Sequence, residues 1–296
     1  MDCVRDRLAL YAGELRPQSR SQQEKQAQKP LSGAASAFDD LASATLLARW
    51  CGPWLPRDYA LPPNTAATLV FTSGKLGTPG FGGSSLRRIA SERGWGEPSD
   101  WIAYVGKYYL VEEEATQQLR YVDAIFIHPG YQMEVKTLLV ENRKDHDIAL
   151  IKLNAPVTLN GQVQPICLEE LQDLADNTTC YVTGWGATRE AEMSPVLKQA
   201  AVLVLPLDDC AAYYNGTCVI NNLMYCAGYE DGRHDSCHGD SGGPLVVKQA
   251  GRWQLAGVIS GGLRCGEPRH PGIYTKMTPH YAWIRDVIAG NATRSH

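Results

Sequence analysis

The sequence predicts an all-β protein of the sandwich or barrel kind that ends in one helix. Strand-like apolar runs recur through its last two thirds, Gly, Pro, Asn and Asp separate them, and a helical period appears only at the C-terminal end. The runs are 122–127, 148–153, 202–205 and 253–259. An earlier one, 66–71, is apolar with Thr and leads into 74–83, where dense Gly and Pro mark a domain boundary near residue 83. Residues 14–37 are polar, rich in Gln, Ser and Ala, and read as a loop or disordered insert. At the far end Tyr281, Ile284 and Ile288 keep i, i+3, i+7 spacing after Thr278-Pro279, where Thr suits a helix cap and Pro the first turn.

With 296 residues, the chain has room for two domains at about 150 residues each. Lys and Arg total 28 against 32 Asp and Glu, a net charge of −4, which gives no basis for binding nucleic acid. No apolar run approaches the ~20 residues of a membrane-spanning helix, so no span is expected. Asp2, Arg5, Asp6 and Arg7 interrupt what would be the apolar stretch of a secretory signal. Nine cysteines without any Cys-x-x-Cys pair nevertheless point to an oxidising compartment. Sequons at Asn177, Asn215 and Asn291 agree. The expectation is an extracellular protein whose signal peptide is absent from this chain. An odd cysteine count leaves at least one thiol without an intrachain partner.

The segment Asp235-Ser236-Cys237-His238-Gly239-Asp240-Ser241-Gly242-Gly243-Pro244 carries the most chemistry. A serine framed by glycines fits a tight turn in which backbone N–H groups converge, because glycine removes the side chains that would block approach. Acyl transfer is the matching reaction, with Ser241 attacking a carbonyl and the N–H groups of Gly239 and Ser241 holding the oxyanion.

At these residues the chain resembles the trypsin/chymotrypsin family of serine endopeptidases, and the likeness runs from about Trp101 to the C-terminus. Asp147-Ile148-Ala149-Leu150, Cys180 to Gly186 with its Gly184-Trp185-Gly186, Tyr225-Cys226-Ala227-Gly228, Gly272-Ile273-Tyr274-Thr275-Lys276 and Trp283-Ile284 carry it. The resemblance implies a double β-barrel with a C-terminal helix. It makes Ser241 the nucleophile and Asp147 the carboxylate that orients a catalytic imidazole. Asp240 would pair with a newly cleaved N-terminal ammonium. Asp235 would stand at the floor of the specificity pocket, with Ser260, Gly262 and Gly272 lining it, so that an Arg or Lys side chain of a protein or peptide substrate forms a charge-assisted bond there. Protein inhibitors and extracellular proteins are the further partners implied. No cofactor or metal is expected.

The general base is missing. The family carries it in an Ala-Ala-His-Cys segment ahead of the aspartate, yet all seven histidines here, at 128, 146, 234, 238, 270, 280 and 296, lie at or beyond 128. His146 adjoins Asp147, but neighbours on a strand point to opposite faces, so both are not expected to line one site. His128 precedes Pro129-Gly130-Tyr131 and reads as a turn residue. The nearest approximation to the family's Ile-Val-Gly-Gly start is Arg88-Ile89-Ala90-Ser91, and about a dozen residues separate Ile89 from Trp101. At about 3.3 Å per residue they make at most two short strands. The first barrel is therefore expected to be incomplete, with an unpaired edge. Two readings follow: a peptidase fold inactive as written, or a non-catalytic homologue that binds other extracellular proteins.

The resemblance further implies disulfides Cys210–Cys226 and Cys237–Cys265. Val247 stands where a partner for Cys180 would be, which leaves Cys167, Cys180 and Cys218 without an assigned pairing. Residues 1–83 resemble part of a CUB domain, through Cys3 to Tyr11, then Trp50-Cys51-Gly52, the 66–71 run and Gly80-Phe81-Gly82, with Cys3–Cys51 as its disulfide. Asp6 matches a calcium-ligand position of that family, but Gly74 replaces another, so no strong calcium site is expected. The serine peptidase domain would then occupy 84–296.

Overall fold

A computed structural model describes residues 98, 101–134, 143–160, 162–168 and 171–290, together with the backbone of four short strands nearer the N-terminus. Those four are β1 (Glu14–Pro17), β2 (Ala42–Ser43), β3 (Leu46–Arg49) and β4 (Thr68–Phe71). There follow β5 (Trp101–Val105), β6 (Gln118–Ile127), β7 (Gln132–Glu134), β8 (Arg143–Asp145), β9 (Ala149–Leu153) and β10 (Ile166–Cys167). The second half holds β11 (Thr179–Gly184), β12 (Lys198–Val204), α1 (Leu207–Tyr213), β13 (Met224–Gly228), β14 (Pro244–Gln249), β15 (Arg252–Gly261) and β16 (Gly272–Lys276). A 3₁₀ turn, Thr278–His280, leads into α2 (Tyr281–Ile288).

In the second half, β14, β11, β12, β13, β16 and β15 pair in that order, and the β14–β15 pairing closes them into a six-stranded barrel. Closure removes both edges of this sheet. Its interior is filled by Cys180, Val182, Val202, Tyr225, Leu245, Val247, Ile259 and Tyr274. The register that sets Tyr181 opposite Val246 brings Cys180 alongside Val247, so apolar packing occupies the place of the bridge that Val247 precludes. Burial pushes the Cys180 thiol up to about 12, which makes it an inert core residue at neutral pH. Cys210–Cys226 and Cys237–Cys265 are both bonded, with Cα separations of 6.3 and 5.2 Å.

The first half is a partly open sheet, ordered β4-β9-β6-β5-β1. Trp101, Ala103, Val105, Val122, Ile125, Ile151 and Leu153 pack its inner face. As expected, this sheet does not close: β1 pairs antiparallel with β5 and β4 pairs along four residues with β9, but among the described strands β2 ends the order with one neighbour. Ala42–Ser43 bonds to β1 and Leu46–Arg49 bonds to β4, so the two flanks of the sheet reach nearly adjacent parts of the chain. The expected run at 66–71 contains β4, whereas β1 falls in the stretch read as a loop and β2 and β3 were unassigned, because strand pairing is decided by tertiary partners more than by local pattern. Residue 83, Cys3, Cys51, Asp6 and Gly74 lie outside the described residues.

A third cluster, including Ile148, Leu150, Leu255, Val258, Met277, Tyr281, Ile284 and Val287, seats α2 between the two sheets. The inward face of α2 is Tyr281, Ile284 and Val287, while the expected Ile288 is 43% exposed. Thr278 does not cap it. Its hydroxyl donates to Asp173 at 2.7 Å, and the 3₁₀ turn separates it from the helix. Helix α1 was not legible in the sequence; it buries only Cys210, and the bridge to Cys226 ties it to β13.

Candidate active site

Ser241 sits in a turn knotted by backbone bonds. Asp240 N–H donates to Cys237 O at 2.9 Å, Gly243 N–H to Asp240 O at 2.8 Å and Gly242 N–H to Ile259 O at 2.9 Å. Gly239 and Gly242 have φ of 91° and 87°, the left-handed region that glycine enters without penalty. A Cβ on Gly239 would also stand 2.8 Å from Met193 Sδ. The glycines flanking the serine are thus a backbone requirement.

The Asp240 carboxylate turns inward, accepting Gly186 N–H at 2.8 Å and Cys237 N–H at 2.9 Å. Burial raises its pKa against the pull of these two bonds. Any Cβ at Gly184 or Gly186 would overlap this carboxylate. Gly184→Ala is therefore expected to destabilise the protein by about 3 kcal/mol, because the clash falls on a buried charged group with no room to retreat. Chemical denaturation would read this as a lower midpoint; an unchanged midpoint would contradict the packing described.

Asp147 is 2% exposed. Its Oδ2 accepts the Ser260 hydroxyl at 2.7 Å, and its carbonyl accepts the Thr275 hydroxyl at 2.8 Å. Ser260, expected to line the substrate pocket, is bonded to the aspartate and is itself buried. His146 and Asp147 do not lie on a strand. They occupy the turn between β8 and β9, with His146 at φ 51°. His146 is engaged with His128 and His280 from this left-handed turn, so strand alternation does not set its direction.

His146, His128 and His280 gather into one cluster. His128 and His146 stack at 4.4 Å between centroids, and His280 stands edge-on to both at 5.1 and 5.2 Å. His146 Nδ1 lies 3.0 Å from His280 Nε2, and His280 Nδ1 lies 2.6 Å from Lys276 O. Burial, reinforced by the neighbouring imidazoles, pushes His128 and His280 down to about 4. Reading the sequence missed this grouping, since its members come from distant parts of the chain and no spacing links them. His128 does form the expected turn: Tyr131 N–H donates to its carbonyl at 2.9 Å.

Asp235 is partly buried and accepts Ser236 N–H at 2.8 Å and Gly266 N–H at 3.1 Å. A Cβ on Gly272 would come within 2.9 Å of its Oδ1, and one on Gly262 would reach 3.9 Å from the Gly272 Cα. A side chain at Gly272 would therefore collide with the carboxylate, while one at Gly262 would meet only ordinary contacts. Burial pushes the Asp235 carboxyl up to about 6, with the Asp240 charge adding to the rise and backbone bonds from Gly266, Ser236 and Gly272 opposing it. Cys237–Cys265 holds the segment after Asp235 against the loop that supplies Gly266.

The pattern of the family described as Trypsin matches residues 93–284. Over 196 residues the chain is 39% identical to transmembrane protease serine 9 of Rattus norvegicus, covering 66% of this chain and 17% of that protein. The chain thus spans about a sixth of that relative's length.

Proposed function

Because the chain belongs to the trypsin family of serine proteases, we propose that its site is built for endopeptidase cleavage after Arg or Lys, and that the chain as written lacks the base to perform it. The observation supporting the specificity is Asp235, a partly buried carboxylate packed against Gly272. A guanidinium or ammonium reaching it would meet the carboxylate away from bulk water, where a charged hydrogen bond is strong. Ser241 would attack the carbonyl and the N–H groups of Gly239 and Ser241 would hold the oxyanion. Asp147 would orient an imidazole that a longer form of the chain would have to supply. Asp240, whose two described partners are N–H groups, would take up an N-terminal ammonium after activation.

Ligand binding tests the pocket without requiring turnover. Benzamidine is expected to bind, and Asp235→Asn to weaken it by about 100-fold through loss of a buried charge partner. The carboxyl at about 6 must be ionised to hold the amidinium. Affinity should therefore rise with pH up to about 6 and level off above it, falling about tenfold per pH unit on the acid side. Calorimetric titration at several pH values would read this; equal affinity in the Asn variant would remove the proposed specificity.

The missing histidine favours a second reading, a non-catalytic homologue that binds extracellular proteins or protease inhibitors through the same surface. A partial CUB segment over residues 1–83, proposed on the Cys3–Cys51 pattern with the peptidase domain at 84–296, is the alternative to the pairing of β1 and β4 onto the peptidase sheet. The chain is proposed to act outside the cell. Two bonded disulfides and the exposure of Asn177 and Asn215 in their sequons support that placement, and no helix among the described residues is long and apolar enough to cross a membrane.

A further inference from the structure

We propose that His128, His146 and His280 form a binding site for a transition-metal dication of the zinc type. One ring nitrogen from each lies within 4.8 Å of the other two. Around a tetrahedral ion with metal–nitrogen bonds of about 2.0–2.1 Å, ligand nitrogens sit roughly 3.3 Å apart, so side-chain shifts on the order of 1 Å, with the stacked His128 and His146 rings rotating so that their lone pairs converge, close the site. His146 Nδ1 and His280 Nε2 are already 3.0 Å apart.

Hydrogen bonding sets the lone pairs. The Lys276 carbonyl can only accept, so His280 carries its proton on Nδ1 and keeps a lone pair on Nε2, facing the cluster. Metal-binding histidines are held in this way, with the second nitrogen donating to a backbone carbonyl. His146 then donates from Nδ1 to His280 Nε2. Ligation moves that proton to the other ring nitrogen of His146 and puts the metal in its place. His128 Nδ1 accepts Gly130 N–H at 3.1 Å, and ligation costs that one bond.

Three neutral imidazoles select zinc, copper or nickel over calcium and magnesium, which prefer oxygen. His280 is fully buried while His128 and His146 are partly open, so an ion reaches the cluster from solvent and retains a coordination position for water. A bound ion would tie together the end of β6, the turn before β9 and the start of α2. It would also lie one residue from Asp147, whose carboxylate is fixed by Ser260. The other described group with ligand-like spacing, Cys237, His238 and Cys265, has both cysteines in a disulfide and is no rival. The inference stands whether or not the chain hydrolyses peptides.

The test is titration of the full chain, freed of metal by chelator dialysis, with zinc chloride under calorimetric and thermal-unfolding readouts. One equivalent is expected to bind and to raise the unfolding midpoint reversibly with chelator, while magnesium and calcium chlorides leave it unchanged. His128→Gln and His280→Gln should each weaken zinc at least tenfold, and a His234→Gln/His270→Gln double variant should not. If His280→Gln fails to fold, His128→Gln decides alone, since its ring is partly exposed. Cobalt chloride supplies an independent readout, the visible absorption of a four-coordinate ion, absent in His128→Gln. Failure of zinc to saturate at one equivalent, or undiminished binding in His128→Gln, overturns the site, as does loss of binding in the His234/His270 variant.

Discussion

The full chain, incubated with an Arg-containing chromogenic peptide, is expected to turn it over about a millionfold more slowly than a family member with a complete triad, the loss that removing the histidine causes in subtilisin. Ser241 needs a proton acceptor within hydrogen-bond reach, because its hydroxyl is a weak nucleophile at neutral pH. His146, the histidine adjacent to Asp147, is turned into the His128–His280 cluster and bonded there. His280 is fully buried with Nδ1 committed to Lys276 O. His128 is stacked against His146 and receives Gly130 N–H. His270 Nδ1 contacts Pro268 O at 2.8 Å, and His234 packs edge-on against Tyr229. What remains is oxyanion stabilisation and binding, a residual ~10³–10⁴ over water in the enzymes where it has been isolated. Two measurements check this: the rate of the unaltered chain should match that of Ser241→Ala, and a fluorophosphonate probe should leave Ser241 unlabelled. Stoichiometric labelling would mean that some group does serve as the base.

Two strands of the second barrel, β12 and β15, were legible because each buries an apolar run against a single core, while β11, β13, β14 and β16 were not read from such runs. The run at 253–259 lies inside β15, 202–205 overlaps the end of β12, and the core contacts of both follow the pattern. Likewise the glycines around Ser241 announced a turn that the φ values of Gly239 and Gly242 require. Helix α1 was invisible because it offers one buried residue and two acids in its first turn, so tertiary anchoring and not amphipathic period holds it. The bond from Ser260 to Asp147 was not foreseen for a related reason. A pocket-lining position and a ligand of Asp147 are the same letter in sequence, and only the 2.7 Å bond separates them. The imidazole cluster depended on three segments converging, which no local spacing encodes.

Residues 84–296 produced without the preceding segment are expected to associate and to lose cooperative unfolding. Strand β9 lies in the middle of the open sheet, with Leu150, Ile151 and Leu153 fully buried, and it is flanked by β6 on one side and β4 on the other. Removing β4 strips the pairing of Ala149, Leu150, Ile151 and Lys152, and removing β1 uncovers Trp101 to Ala103 of β5. Each lost backbone bond costs about 0.5–1.5 kcal/mol, more where the orphaned group stays buried, against a total stability of about 5–15 kcal/mol for a domain. Two bare edges beside an apolar interior are also templates for pairing with other chains. Size-exclusion chromatography with light scattering, alongside thermal unfolding, would compare the truncated and full chains. A monomeric 84–296 with the full chain's unfolding midpoint would show that β1 to β4 contribute nothing to the barrel, and the N-terminal segment would then stand as a module of its own. Association that is reversed by adding back residues 1–83 as a separate polypeptide would locate the missing pairing in those strands.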